Sequence, residues 1–126
     1  MRKGKMVSQG AHASMKVILE MMSRQMMLTS PYGDTADVEV RSLTLPNGSA
    51  LQDWLRGKFT KITCSVDSER ELLELYEKAD LLRIPCTLIT DAGLTEFGGT
   101  PTHTAIAIGP AWEDEVDPIT SHLKLL

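Results

Sequence analysis

Cysteine is scarce. Only Cys64 and Cys86 occur in the 126 residues. Both fall in stretches that read as strands, so buried free thiols are expected rather than a disulfide framework. Those two cysteines and three scattered histidines give no metal-ligand spacing. With two Trp, two Tyr and two Phe, the core must be built from aliphatic and methionine side chains. No apolar run approaches the length of a membrane span. No apolar segment follows the basic start Met1 to Ser8, so no secretory leader is read there and a cytoplasmic protein is expected. Net positive charge is also missing. The formal charge of -4 argues against coating nucleic acid indiscriminately, and DNA is not an expected partner. What remains is an apolar fraction of 42%, enough for a real core and too high for disorder. One domain spanning 1–126 is expected, with no repeat and no internal boundary.

Val7, Ala11, Met15, Ile18, Met22 and Met26 recur at spacings of three and four, which predicts one apolar stripe on a long helix from about Lys5 to Leu28. Pro31, Gly33, Pro46, Asn47 and Gly48 mark a connector, with an edge strand at Val38 to Leu45. Ser49 can cap a short helix, Ala50 to Arg56, that buries Leu51, Trp54 and Leu55. Lys61 to Val66 alternates as a strand. Ser68 with Glu71 is a capping-box pattern for a helix with apolar face Leu72, Leu73, Leu75, Tyr76, Ala79 and Leu82, and with a Glu74–Lys78 pair outside. Ile84-Pro85 ends it, and Cys86 to Thr90 is the next strand. This strand–helix–strand unit predicts a right-handed crossover and parallel strands. Thr102 to Ile108 is another strand. Gly109, Pro110 and a polar turn with Trp112 follow, then an acidic run, Glu113 to Asp117, and a last short helix expected from Pro118 through Leu123.

The loop after the Cys86 strand holds Asp91, Thr95 and Thr102, and Thr104 lies just beyond it. Ligands of open α/β sheets sit past the carboxyl ends of strands. Asp91-Ala92-Gly93 alone is an ordinary turn signal. A carboxylate beside a lysine can instead orient and deprotonate water. Lys5 supplies the lysine, at a helix amino terminus already biased toward anions. A basic helix start is otherwise a solvated one. Gln9, one turn later, shares the face of Lys5. His12 points elsewhere and reads as a packing residue. Cys86, inside a strand, reads as inert.

Taken together these stretches resemble a known family. Gly4-Lys5-Met6-Val7-Ser8-Gln9-Gly10-Ala11-His12-Ala13 is similar to the opening helix of the second type of peptidyl-tRNA hydrolase, found in archaea, eukaryotes and some bacteria. Asp91-Ala92-Gly93-Leu94-Thr95 resembles its aspartate loop. Ile106-Ala107-Ile108-Gly109-Pro110 and His122 to Leu126 resemble its last strand and tail, and Leu72 to Tyr76 falls on its middle helix. Everything but Ser30 to Asn47 is covered.

The resemblance implies an α/β fold. That fold is a single three-layer domain with a mixed, mostly four-stranded sheet flanked by helices, usually a homodimer. The family's first apolar strand, ahead of Gly4-Lys5, has no counterpart in this sequence. The implied activity is hydrolysis of the ester between a peptide and tRNA, with peptidyl-tRNA as partner and no metal or cofactor. Lys5, Gln9, Asp91, Thr95 and Thr104 take the catalytic positions. Arg2, Lys3, Lys16 and Thr102 are the implied substrate contacts. Two other readings stand beside this one: a non-catalytic tRNA- or protein-binding module on the same fold, and a hydrolase of some other aminoacyl or peptidyl ester.

Overall fold

The computed structural model describes residues 1–27, 38–92 and 99–126. Helix α1 covers Lys3–Met21, α2 Ala50–Arg56, α3 Glu69–Leu81 and α4 Glu113–Thr120. The strands are β1 Ser23–Met27, β2 Val38–Ser42, β3 Cys64–Ser65, β4 Cys86–Asp91, β5 Thr102–Ile108 and β6 Lys124–Leu125. The class is α/β, as expected. The sheet is not one four-stranded unit. Among the described residues the strands form three antiparallel ladders, β1 with β2, β3 with β6 and β4 with β5. No helix among them is long and apolar enough to cross a membrane.

The β4–β5 ladder organises the molecule, because α1 and α3 both pack on it. Cys86 pairs with Ile108 and Leu88 with Ile106. Cys86, Ile106 and Ile108 join Leu75 and Ala79 of α3, Ile84, and Ile119 of α4 in the main core. The opposite face, where Thr87 pairs with Ala107 and Ile89 with Ala105, turns to α1. Strand periodicity thus separates an aliphatic layer from a mixed one.

Several local expectations change. The helix from Lys5 was expected to reach Leu28. It stops at Met21, Met22 is extended, and Ser23–Met27 pairs with Val38–Ser42 instead. Cross-strand bonding wins there over a helical pattern that methionines fit equally well. The inward face of α1 is Gln9, Ala13 and Val17, whereas Val7 and Met15 of the expected stripe are 73% and 61% exposed. The expected parallel pairing of the Lys61–Val66 stretch with β4 is absent. Only Cys64–Ser65 is a strand, and the carboxyl tail takes its partner positions, with Leu126 N–H donating to Thr63 at 3.0 Å.

Ser68 caps α3 through the Glu71 N–H at 3.1 Å, while the Glu71 carboxylate reaches back to the Asp67 N–H. Leu82, placed on the apolar face by spacing, is exposed, because the chain leaves the helix there. Glu74 pairs with Arg70 at 3.2 Å rather than with Lys78, whose ammonium donates to the Pro118 carbonyl. Ser49 caps α2 through the Gln52 N–H, and Trp54 is half-buried. Leu55 is exposed, against expectation, since no described element lies over it. The last helix starts at Glu113, five residues before Pro118. Glu113, Asp114 and Glu115 in its first turn are favoured there by the helix dipole, so the acidic run opens the helix instead of preceding it. Glu115 also accepts from the Trp112 N–H at 3.2 Å.

Candidate active site

The amino terminus of α1 meets the carboxyl end of β4. Lys5 Nζ lies 3.1 Å from Asp91 Oδ2, and the two side chains are 14% and 16% exposed. The pair joins residues 86 positions apart, so it exists only in the folded chain. α1 starts at Lys3 with no side-chain cap and no acidic residue in its first turn. Its free N–H groups and dipole therefore add positive potential beside the ammonium. The result is a site with one carboxylate set in an otherwise anion-attracting environment.

Gln9 sits one turn further along α1 and is buried, 7% exposed. Its Oε1 accepts from Thr104 Oγ1 at 2.6 Å. This contact depends on a β-bulge. Ile89 pairs with Ala105, but Thr90 pairs with His103, leaving Thr104 as an extra residue in β5. A bulge sets two successive side chains on one side of the sheet. Thr104 consequently joins Ala105 and Ala107 on the α1 face. Simple alternation would have sent it to the α3 side. Beyond the bulge Thr102 pairs with Asp91, and its hydroxyl donates to the Thr100 carbonyl at 3.1 Å. Thr90 and His103 face each other on the opposite side, at 3.0 Å.

The remaining expected residues divide. Arg2 and Lys3 are exposed at the helix start, next to the pair. Thr95 lies outside the described residues. Lys16 is placed against β4, its ammonium donating to the Leu88 carbonyl at 2.8 Å and lying 3.9 Å from Glu20 Oε1. The Glu20 carboxylate accepts from Thr87 Oγ1, and Thr87 is only 2% exposed. Among the described residues no three His, Cys, Asp or Glu side chains come together as a metal set. Cys64 and Cys86 are free thiols. Burial pushes the Cys86 thiol up, with Asp80 and Glu20 adding to the effect, which agrees with an inert role.

Comparison with known proteins settles the lineage. The sequence model of the family "Peptidyl-tRNA hydrolase PTH2" matches residues 1–126. The chain belongs to the PTH2 family. Among its relatives, a peptidyl-tRNA hydrolase of Methanocaldococcus jannaschii is 37% identical over 126 residues, covering 100% of this chain and 90% of that protein. One from Sulfurisphaera tokodaii is 36% identical over the same span, covering 88% of that protein. One from Thermococcus onnurineus is 47% identical over 73 residues, 58% of this chain and 61% of its own length.

In this PTH2 chain, sequence reasoning missed Glu20 and Thr87. A signal for Glu20 was present. Lys5, Gln9, Lys16 and Glu20 follow one another at spacings of four, seven and four, which places them on one side of a helix. That polar seam, not the apolar stripe, is what α1 presents to the ladder, with Ala13 and Val17 beside it. Apolar contacts of two small side chains do not fix how far α1 slides along β4. Directional bonds at Thr87 and Leu88 do. Thr87→Val keeps the shape and removes the hydroxyl. It is expected to cost about 1 kcal/mol of stability, read in a denaturant melt. It should also lower turnover several-fold by loosening the Lys5–Asp91 register, and Thr87→Ser should restore both.

Proposed function

We infer that this chain hydrolyses the ester joining a peptide, or an N-blocked aminoacyl group, to the terminal ribose of tRNA. The observation that carries the reading is the Lys5–Asp91 pair, 3.1 Å apart where α1 meets the end of β4. Asp91, held by the ammonium, orients a water and takes its proton as the water oxygen bonds to the ester carbonyl carbon. The carbonyl electrons move onto its oxygen. That oxyanion is met by Lys5, by the α1 amino terminus and by the Gln9 amide. With Thr104 donating to Gln9 Oε1, the amide NH₂ is the group left to donate to the oxyanion. Collapse breaks the bond to the ribose oxygen, which leaves with the proton from Asp91. A ribose oxygen leaves far more readily than the nitrogen anion an unprotonated amide would expel, so the proton returned by Asp91 suffices and no stronger acid is needed.

Thr95 and Thr102 are assigned to the same rim of the site, and Arg2 and Lys3 to phosphates of the acceptor end. Lys16, with its ammonium on a strand carbonyl, is better suited to holding α1 than to holding RNA. We also propose that the protein is cytoplasmic and acts as a homodimer. The exposed apolar residues Val7, Met15 and Leu19 of α1 support self-association, which sedimentation at micromolar concentration measures. The family relatives are named as hydrolases, and nothing favours a non-catalytic module. The test of activity is wild-type turnover of N-acetylaminoacyl-tRNA. Release of free tRNA at a rate well above background is expected, and intact ester after prolonged incubation with folded protein would remove the reading.

A further inference from the structure

Resting on that reading, we propose that the segment after α2, Arg56 to Lys61, is a docking surface for the RNA part of the substrate, away from the ester. Arg56, Lys58 and Lys61 lie within six residues, all exposed, and make no ion pair among the described residues. Lys5, Lys16, Arg24, Arg41 and Arg70 each lie against a carboxylate and Lys78 donates to a carbonyl, so what marks Arg56 to Lys61 is three exposed basic side chains close together without an acidic partner among the described residues. Three unmatched cations in a chain of net charge -4 form a local positive field that a polyanion would neutralise.

An aromatic group stands in the same place. Phe59 is 53% exposed and held at φ +35°, a backbone conformation a phenylalanine rarely adopts. It is held from several sides. Its ring meets Trp54 edge-on, with centroids 6.2 Å apart. Trp54 Nε1 donates to the Thr60 carbonyl at 2.8 Å, and Lys61 Nζ donates to the Phe59 carbonyl at 3.2 Å. The same ammonium sits 5.1 Å from the Phe59 ring centroid and 5.4 Å from that of Trp54. Glycine would hold this φ without strain, yet the position carries a phenylalanine whose ring is half exposed to water.

Cations for phosphates and an open ring for bases together make the footprint of RNA. An acidic protein surface would use the cations and leave Phe59 wet. Lys58, Phe59 and Thr60 form one wall of a groove of about 370 Å³ that Asp53 and Glu113 also line, so the RNA is placed on the Lys58–Phe59 rim, away from the two carboxylates. The groove also reaches Ala111 and Trp112, just past the end of β5. That is the opposite end of the ladder from Asp91, about 20 Å along the strand. A substrate whose 3′ end lies at Lys5–Asp91 meets this rim with nucleotides upstream of the ester. A small ester cannot reach it.

The decisive protein carries Lys58→Ala with Phe59→Gly, since glycine accepts the positive φ and leaves the backbone unstrained. For N-acetylaminoacyl-tRNA the KM is expected to rise about tenfold with kcat unchanged, and hydrolysis of a small N-acetylaminoacyl ester is expected to stay at the wild-type rate. Lys58→Ala alone should reduce the salt slope of tRNA binding by about one, and Phe59→Tyr should restore affinity. An unchanged KM for tRNA, or equal losses on both substrates, overturns the proposal. An unchanged KM would leave another polyanion, such as an acidic protein, as the occupant of the rim. If wild-type protein hydrolysed neither substrate, the catalytic reading would fail, and titration with deacylated tRNA would still decide this one. Weaker binding by the variant supports the docking surface, and equal binding removes it.

Discussion

Lys5→Met should leave the protein folded and lower kcat on N-acetylaminoacyl-tRNA by about a thousandfold. The methionine keeps most of the lysine stem, so packing along α1 survives. Loss of a cation from a helix amino terminus is, for the helix itself, slightly favourable. What disappears is the charge 3.1 Å from Asp91 Oδ2. The carboxylate then loses the partner that orients it, and the oxyanion loses its nearest cation. Asp91→Asn removes the proton acceptor while keeping shape, and a loss of about a hundredfold or more is expected. Initial rates at saturating substrate check both variants. In each, KM should move much less than kcat, because neither side chain is assigned to the bulk of the RNA. Lys5→Arg should not rescue fully, since a planar guanidinium spreads its charge and needs a different approach to one carboxylate oxygen.

The second large effect is expected at Thr104. Thr104→Val preserves volume and strand propensity but leaves Gln9 Oε1 without its donor, in a residue only 7% exposed. An unsatisfied buried acceptor costs about 1–3 kcal/mol, so the melting temperature should fall measurably. Turnover should fall by about ten- to a hundredfold, because the amide is then free to turn and no longer presents NH₂ to the oxyanion. Thr104→Ser keeps the hydroxyl and should stay close to wild type. The pair of variants separates a polar role from a packing one. Thr104→Ser loses the methyl and Thr104→Val loses the hydroxyl. Thermal melts with single-turnover kinetics read both. Equal activity of the two variants would mean that the bulge serves the backbone alone.

Much of the site could be read from residue order. Lys5 and Gln9 one turn apart define a shared helix face, and a carboxylate at the end of an apolar strand marks where ligands gather. The structure brings Lys5 to Asp91 and Gln9 to Thr104. How Thr104 gets there was not legible. Period-two alternation puts Thr104 opposite Ala105, and only the pairing of Ile89 and Thr90 with β5 reveals the extra residue. Thr95 lies outside the described residues.

The fold was legible unevenly for related reasons. Ser49 and Ser68 cap their helices as their side chains suggest, because capping is decided within four residues. Strand partners are not local. The Lys61–Val66 stretch alternates convincingly, but Cys64 and Ser65 pair with Leu125 and Lys124 of the distant carboxyl tail. The α1 stripe misled for another reason. Val7, Ala11 and Met15 form a regular apolar face, and burial normally follows such a face. Here four polar side chains at Lys5, Gln9, Lys16 and Glu20 find partners on the ladder, and those bonds turn the apolar face outward. The polar stripe makes the contacts with the ladder, and the apolar one was the easier to see.

The central claim is that Lys5 and Asp91 act as one unit on a single water and ester. A double-mutant cycle measures it directly, with kcat/KM on N-acetylaminoacyl-tRNA for wild type, Lys5→Met, Asp91→Asn and the double variant. Groups that act as a unit are not additive, so the double variant should be no slower than the slower single variant, within about threefold. Losses that multiply, with the double variant slower by the full product of the two, would show Lys5 and Asp91 working independently and would contradict the mechanism.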